Sequence, residues 1–189
     1  MNSFFAVINR MKYINRWGLM RNSETENLQE HSFQTAVLAH ALALIENQKF
    51  GADINPEKAA VIALYHDSSE IITGDMPTPV KYSNETLTSS YKQIEFEARS
   101  IILDKLESDL QPSFSNIFNC EDCPEWVFVK AADTLTAYIK CIEEIKAGNN
   151  EFVGARDAIF QKLSQNKLES LKYFMNTYLP AYELTLDEQ

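Results

Sequence analysis

The sequence predicts an all-α protein of about seven or eight helices. Apolar residues recur at spacings of three and four along almost the whole chain, and strand-like alternation is nearly absent. No internal repeat, low-complexity segment or linker rich in Gly, Pro or Ser divides the chain. Its 189 residues are enough for one helical domain with a sizeable core, so residues 1–189 are expected to form a single domain.

Each element has its own signal. Phe4, Phe5, Ile8, Met11 and Tyr13 stripe a first amphipathic helix over roughly residues 2–14. A polar stretch from Asn15 to Asn27 separates it from a long helix over about 28–47. Asn55 is placed to cap, and Pro56 to begin, an Ala-rich helix expected to reach about Ile72. Gly74 ends it, and the two prolines of Asp75-Met76-Pro77-Thr78-Pro79 predict a loop. A charged amphipathic helix over roughly 84–107 and a short helix after Pro112 follow. Residues 125–147 read as a strongly apolar helix closed by Gly148 in a left-handed conformation. One or two further helices reach Tyr178, where Pro180 stops them.

Charge narrows the function. With 17 basic against 27 acidic residues the chain carries a net −10. That disfavours a nucleic-acid polymer as partner, because such binding needs a cationic face to displace counterions. A small phosphorylated ligand is still possible, held by a metal and one or two local cations. No apolar run approaches the roughly 20 residues needed to cross a bilayer, so no membrane partner is expected. The N-terminal stripe is not the unbroken apolar core of a signal peptide, and the cytoplasm is the expected location. Cys120 and Cys123 have C-x-x-C spacing, which suits half of a zinc site or a redox pair. With no second pair, and with Cys141 inside a helical pattern, free thiols are the expectation.

His66-Asp67 follows an apolar run, which sets both groups at the edge of a buried surface. Imidazole and carboxylate suit Mn, Fe, Co, Ni or Zn better than Ca or Mg. By itself the dipeptide is equally a capping or satisfied polar pair. His31 lies near the start of an apolar helix, where a lone histidine is more often structural. Asp133 falls mid-helix in Phe128-Val129-Lys130-Ala131-Ala132-Asp133-Thr134-Leu135. A charged Asp among apolar neighbours is costly unless paired or metal-bound, and Lys130, three residues earlier on the same face, offers the plain alternative of a salt bridge. His40 lies nine residues after His31, a rotation of about 180°, so the two face opposite ways.

In order along the chain, His31, His66-Asp67 and Asp133 resemble the signature of the HD superfamily of metal-dependent phosphohydrolases. The resemblance implies an all-α helical bundle in which these four side chains, drawn from three helices, hold one metal ion. It extends further. Ile14-Asn15-Arg16-Trp17, Leu19-Met20-Arg21-Asn22, Glu30-His31-Ser32, Tyr65-His66-Asp67, Ser69-Glu70, Thr73-Gly74-Asp75, Pro77-Thr78-Pro79-Val80-Lys81-Tyr82, Ala131-Ala132-Asp133 and Ala147-Gly148-Asn149-Asn150-Glu151 resemble the bacterial 5'-deoxynucleotidase (YfbR-like) family. The similarity runs from residue 4 to about Asp187 and is weakest over about 84–125, which carries none of the proposed chemistry.

The resemblance implies hydrolysis of 2'-deoxynucleoside 5'-monophosphates to deoxynucleoside and phosphate. It implies one divalent transition metal (Co or Mn, with Zn, Ni, Cu or Fe as alternatives) and a homodimer. Glu70, four residues after His66, is a candidate for positioning or deprotonating the attacking water; its plain reading is a solvated Glu in a last helical turn. Asp75 is implied to contact substrate and to serve as acid or base for the leaving 5'-oxygen, although Asp after Gly is also ordinary turn chemistry. Arg16 offers a planar fork of donors for phosphate, and Trp17 a wall against C2' that leaves a 2'-hydroxyl no room. His31, Asp67 and the backbone from Asp75 through Met76 and Pro77 to Thr78 complete the implied substrate contacts. Gly74 is expected to let the backbone approach closely there. Two alternatives remain at this level: hydrolysis of another nucleotide phosphoester (cyclic nucleotide, alarmone or triphosphate), or a non-catalytic metal-binding helical module.

Overall fold

The computed structural model describes residues 2–81 and 83–189; Met1 and Tyr82, the last residue of the Pro77–Tyr82 motif, lie outside the described residues. Among the described residues there are α1 (Phe4–Ile8), α2 (Leu28–Phe50), α3 (Pro56–Tyr65), α4 (Glu70–Thr73), α5 (Thr78–Lys81), α6 (Glu85–Leu103), α7 (Gln111–Phe118), α8 (Trp126–Lys146), α9 (Val153–Ser164) and α10 (Glu169–Thr177). Seven of these have eight residues or more. No strand forms among the described residues beyond an isolated bridge between Asn15 and Asn27, so the all-α expectation holds.

Long α2 is the central post. α3 and α8 pack along it, and α10 closes its far end. Leu42, Ile62, Leu135 and Ile139 are at most 1% exposed in the core these helices share. A second cluster, Phe4, Ile102, Leu103, Leu106 and Phe118, seats α1 on α6 and α7. No helix among the described residues is long and apolar enough to cross a membrane.

The structure departs from expectation at four places. The helix from Pro56 does not reach Ile72. It stops at Tyr65, and bonds of the i→i+3 type (Ser68 N–H to Tyr65 O, Glu70 N–H to Asp67 O, both 3.0 Å) form a tight turn before α4. No Gly or Pro marks that break. The stretch after Asp75 is not wholly loop, because Pro77 is followed by the short helix α5, and Pro79 occupies its first turn where no amide partner is needed. The N-terminal helix is tightened to 3-10 geometry over Asn9–Tyr13. Finally, Cys120 and Cys123 are not free thiols. The turn before α8 brings their Cα atoms to 5.3 Å and they form a disulfide, whereas Cys141 is free and buried as expected.

The polar stretch before α2 is held down by α8. Glu144 accepts from the backbone N–H groups of Ser23 (2.8 Å) and Glu24 (3.2 Å) and from Asn149 Nδ2 (2.7 Å). Lys140 donates to Glu144 (2.5 Å) and to the Glu24 carbonyl (2.6 Å). The pair is 6% and 1% exposed. Burial pushes the Glu144 carboxyl up, but the donors from Lys140, Ser23, Asn149 and Glu24 outweigh it and hold the pKa at about 2, below the ordinary 4.5. A depressed carboxyl stabilises the fold above its unfolded value, and that stability is lost as pH falls through the folded one. The wild-type protein is therefore expected to lose stability between pH 4.5 and about 2, and Glu144→Gln to flatten that part of the profile. Glu144→Ala, which strands Lys140, is expected to cost about 3–5 kcal/mol at neutral pH. Thermal melts across this range check both; parallel acid profiles for wild type and Glu144→Gln would contradict the assignment.

Candidate active site

Three helices bring four side chains together. Asn27 caps α2 through a capping box with Glu30, which sets His31 in the first turn with its side chain fully buried. His66 caps the end of α3, and Asp67 opens the turn after it. Asp133 comes from the middle of α8, where Ala131, Ala132 and Leu135 are buried beside it. His31 Nε2 lies 3.2 Å from Asp133 Oδ1 and 3.6 Å from Asp67 Oδ2. His66 Nε2 lies 3.2 Å from Asp67 Oδ1 and 3.9 Å from Asp133 Oδ1.

These donors fit a divalent metal ion. His66 Nδ1 lies 2.7 Å from the Ala63 carbonyl, which fixes the ring and assigns the proton to Nδ1. The neutral ring then presents the Nε2 lone pair to two carboxylate oxygens. That buried atom has no hydrogen-bond partner among the described residues. Lone pairs facing carboxylates repel unless a cation or a proton lies between them. His31, His66 and Asp133 each offer a ligand atom within 4.8 Å of the others, while Asp67 spans the two rings with one oxygen toward each. Asp133 divides its oxygens: Oδ1 faces the rings, and Oδ2 accepts from Lys130 at 2.5 Å. The salt bridge and the metal position therefore coexist. Burial raises the Asp133 carboxyl, but Lys130, His31 and His66 hold it well below the usual range.

Arg16, Glu70 and Asp75 lie beside this cluster. Arg16 Nη1 donates to Asp67 Oδ2 at 3.2 Å. Trp17 follows at φ 59°, a left-handed conformation uncommon for a residue with a Cβ. Asp75 lies close enough to the Trp17 backbone and to Arg16 for both to pull its carboxyl down. Glu70 reaches the site by a different route from the one expected. It does not share a continuous helix with His66; the turn at 66–69 intervenes, and Glu70 is the first residue of α4. Its Oε2 is buried without a hydrogen-bond partner among the described residues. Burial, then the charges of Asp67 and Asp75, push its carboxyl up to about 10; a cation alongside would pull it back. Burial likewise raises Asp75, against the pull of Arg16. Gly74 takes φ 74° and ψ 160°, and a Cβ there would meet nothing within 4 Å, so the glycine serves conformation rather than close approach within the chain. Met76 and Pro77 are half-buried after Asp75, and Thr78 is exposed at the start of α5. His40 lies away from the cluster, as its helical phase requires.

Three neighbours carried no sequence signal. Glu26 accepts from both Arg16 and Trp17. Phe152 packs on the Trp17 ring at 5.2 Å. Tyr91, from the stretch expected to carry no chemistry, reaches the Gly74 carbonyl (3.3 Å) and the Thr73 hydroxyl (3.1 Å) and braces the segment leading to Asp75. None stands in a short motif, and each is recruited across more than eight residues of chain.

A helical bundle holding His, His-Asp and Asp from three helices around one point is the architecture of the HD-domain phosphohydrolases. An HD-domain phosphohydrolase from Listeria innocua shares the fold with a TM-score of 0.83 at 22% identity, over 95% of this chain and 88% of that one. The cyanophage S-2L HD phosphohydrolase, solved with dA and one catalytic Zn²⁺ ion, superposes with a TM-score of 0.64 at 18% identity, over 95% and 96% of the two chains. The family model 5'-deoxynucleotidase YfbR-like matches residues 3–182, and a 5'-deoxynucleotidase of Vibrio cholerae is 48% identical over 187 residues, covering 98% of this chain and 96% of that protein. The chain belongs to the YfbR-like 5'-deoxynucleotidase family.

Proposed function

We propose that this enzyme hydrolyses 2'-deoxynucleoside 5'-monophosphates to deoxynucleoside and phosphate, with one divalent transition-metal ion held by His31, His66, Asp67 and Asp133. Family membership supports the substrate. The observation that carries the site is the buried His66 Nε2, which has no hydrogen-bond partner among the described residues and faces two carboxylates.

The bound ion would polarise a phosphate oxygen and lower the pKa of water toward neutrality. The protein's groups do the rest. Arg16 spends one donor on Asp67 and one on Glu26, and its remaining N–H groups are available to grip the phosphate. Glu70, buried beside Asp67, positions the attacking water or takes its proton. Asp75 carries the proton for the leaving 5'-oxygen. Trp17 stands at the sugar, where a wall with no polar partner disfavours a 2'-hydroxyl. Met76, Pro77 and Thr78 extend from Asp75 toward the base.

The rest of the reading takes residues 1–189 as one domain, a homodimer in the cytoplasm, with Co or Mn as the ion and Zn, Ni, Cu or Fe as alternatives. Light scattering of the purified chain tests the dimer. The first test of the function is phosphate release from dAMP and AMP, measured after EDTA treatment and again with Co²⁺ or Mn²⁺ restored. Metal-dependent release from dAMP, with AMP nearly inert, is expected. Equal release from both would retain the metal site and remove the role of Trp17. No release from either, with metal bound, would point to another phosphoester.

A further inference from the structure

One buried acid beside the site has no part in the chemistry above. Glu26 is 8% exposed. Main-chain pairing places it: Arg16 N–H donates to the Glu26 carbonyl and Leu28 N–H to the Ile14 carbonyl, both at 2.9 Å, around the Asn15–Asn27 bridge. This short ladder closes the neck of the loop formed by residues 17–25. Across the neck, Glu26 turns a single oxygen, Oε2, onto two donors from successive residues: Arg16 Nε at 3.1 Å and Trp17 Nε1 at 3.0 Å.

Successive side chains of extended backbone point to opposite faces. Here they converge on one acceptor, with the left-handed backbone at Trp17 breaking the alternation. Such strain costs about 1–3 kcal/mol and persists only where surrounding contacts over-determine it. Those contacts are present. The Trp17 ring is held by Phe152 on one side and its nitrogen by Glu26; the guanidinium is held by Glu26 at Nε and by Asp67 at Nη1. The loop beyond is clamped by Lys140 and Glu144 of α8, the helix that also carries Asp133.

We propose that Glu26 is the positioning residue for sugar selectivity. By holding the Arg16 guanidinium and the Trp17 indole on one carboxylate oxygen, it fixes the distance between the phosphate grip and the wall at C2'. The proposal rests on the deoxynucleotide reading above, with Arg16 at phosphate and Trp17 at the sugar. An apolar wall rejects an added hydroxyl only weakly unless it cannot retreat. A Trp side chain has two torsions by which to retreat, and Glu26 ties the ring edge that would move. Glu26 itself need not touch the substrate.

The test uses the Co²⁺-loaded protein with dAMP and AMP as paired substrates, for wild type, Glu26→Ala, Glu26→Asp and Glu26→Gln. Glu26→Ala is expected to lower the ratio of kcat/KM for dAMP over AMP by about tenfold or more, with AMP turnover rising. Metal content should match wild type, which separates the change in ratio from loss of the ion. Glu26→Asp, one methylene short of the two donors, should lose part of the ratio even if the alanine variant folds poorly. Glu26→Gln keeps an oxygen able to accept both donors and should restore most of the ratio. A proportional fall on both nucleotides, with the ratio unchanged in Glu26→Ala or Glu26→Asp, would reduce Glu26 to a structural residue and overturn the proposal. Wild type that fails to prefer dAMP would overturn the deoxynucleotide reading, and the proposal with it, before any variant is compared.

Discussion

Asp133→Ala is expected to lose bound metal and activity together. Asp133 gives Oδ1 to the two imidazoles and Oδ2 to Lys130, so the substitution removes a proposed ligand and a salt bridge at once. Loss of groups that merely orient a ligand typically lowers metal affinity 10–100-fold, and loss of a ligand should cost at least about that much. The ion's share of transition-state stabilisation is several kcal/mol; about 4 kcal/mol corresponds to roughly a 10³-fold fall in rate. Metal content by mass spectrometry and phosphate release from dAMP are the measurements. Lys130→Ala is the control, since it leaves Asp133 Oδ1 and both imidazoles in place and should keep the ion. Stoichiometric metal in Asp133→Ala would mean that Asp133 serves Lys130 only, and the ligand set would be wrong.

Glu70→Gln should separate in the opposite way. The amide matches the carboxyl in shape, and Glu70 is not among the proposed ligands, so bound metal should stay at the wild-type level. The rate should fall about 10²–10⁴-fold, the usual contribution of a positioned acid or base. Buried Oε2 lacks a partner among the described residues and feels the charges of Asp67 and Asp75, so the carboxyl is close to the cluster and free to hold a water. Loss of metal in Glu70→Gln would make Glu70 a ligand or its support, and the proton would then fall to Asp75. Alanine at the same position gives the same prediction with less control of shape.

The helical spacing of apolar residues in α2, α6 and α8 is local information, and each forms within a few residues of its expected bounds. The candidate residues His31, His66, Asp67, Asp133, Arg16, Trp17, Glu70 and Asp75 stand in short motifs and are legible through the family those motifs resemble; taken singly, only Asp133 is marked by the cost of placing a charge among apolar neighbours. What was not readable depends on partners distant in sequence. The turn at 66–69 has neither Gly nor Pro. It turns Asp67 toward Arg16, 51 residues earlier, and toward His31 on another helix. Periodicity alone ran the helix through it.

The sequence by itself determined the long helices, because periodicity is local, while the expected metal cluster and the acids around it came from resemblance to a known family. Only the tertiary structure decided how that chemistry is aimed. It closed Cys120 onto Cys123, split the two oxygens of Asp133 between imidazoles and a lysine, held Trp17 in a left-handed backbone, and drew Glu26 onto Arg16 and Trp17. Long-range hydrogen bonds and packing leave no periodic trace in a chain, so a glutamate in a polar stretch looks like any solvated acid until the fold shows what it holds.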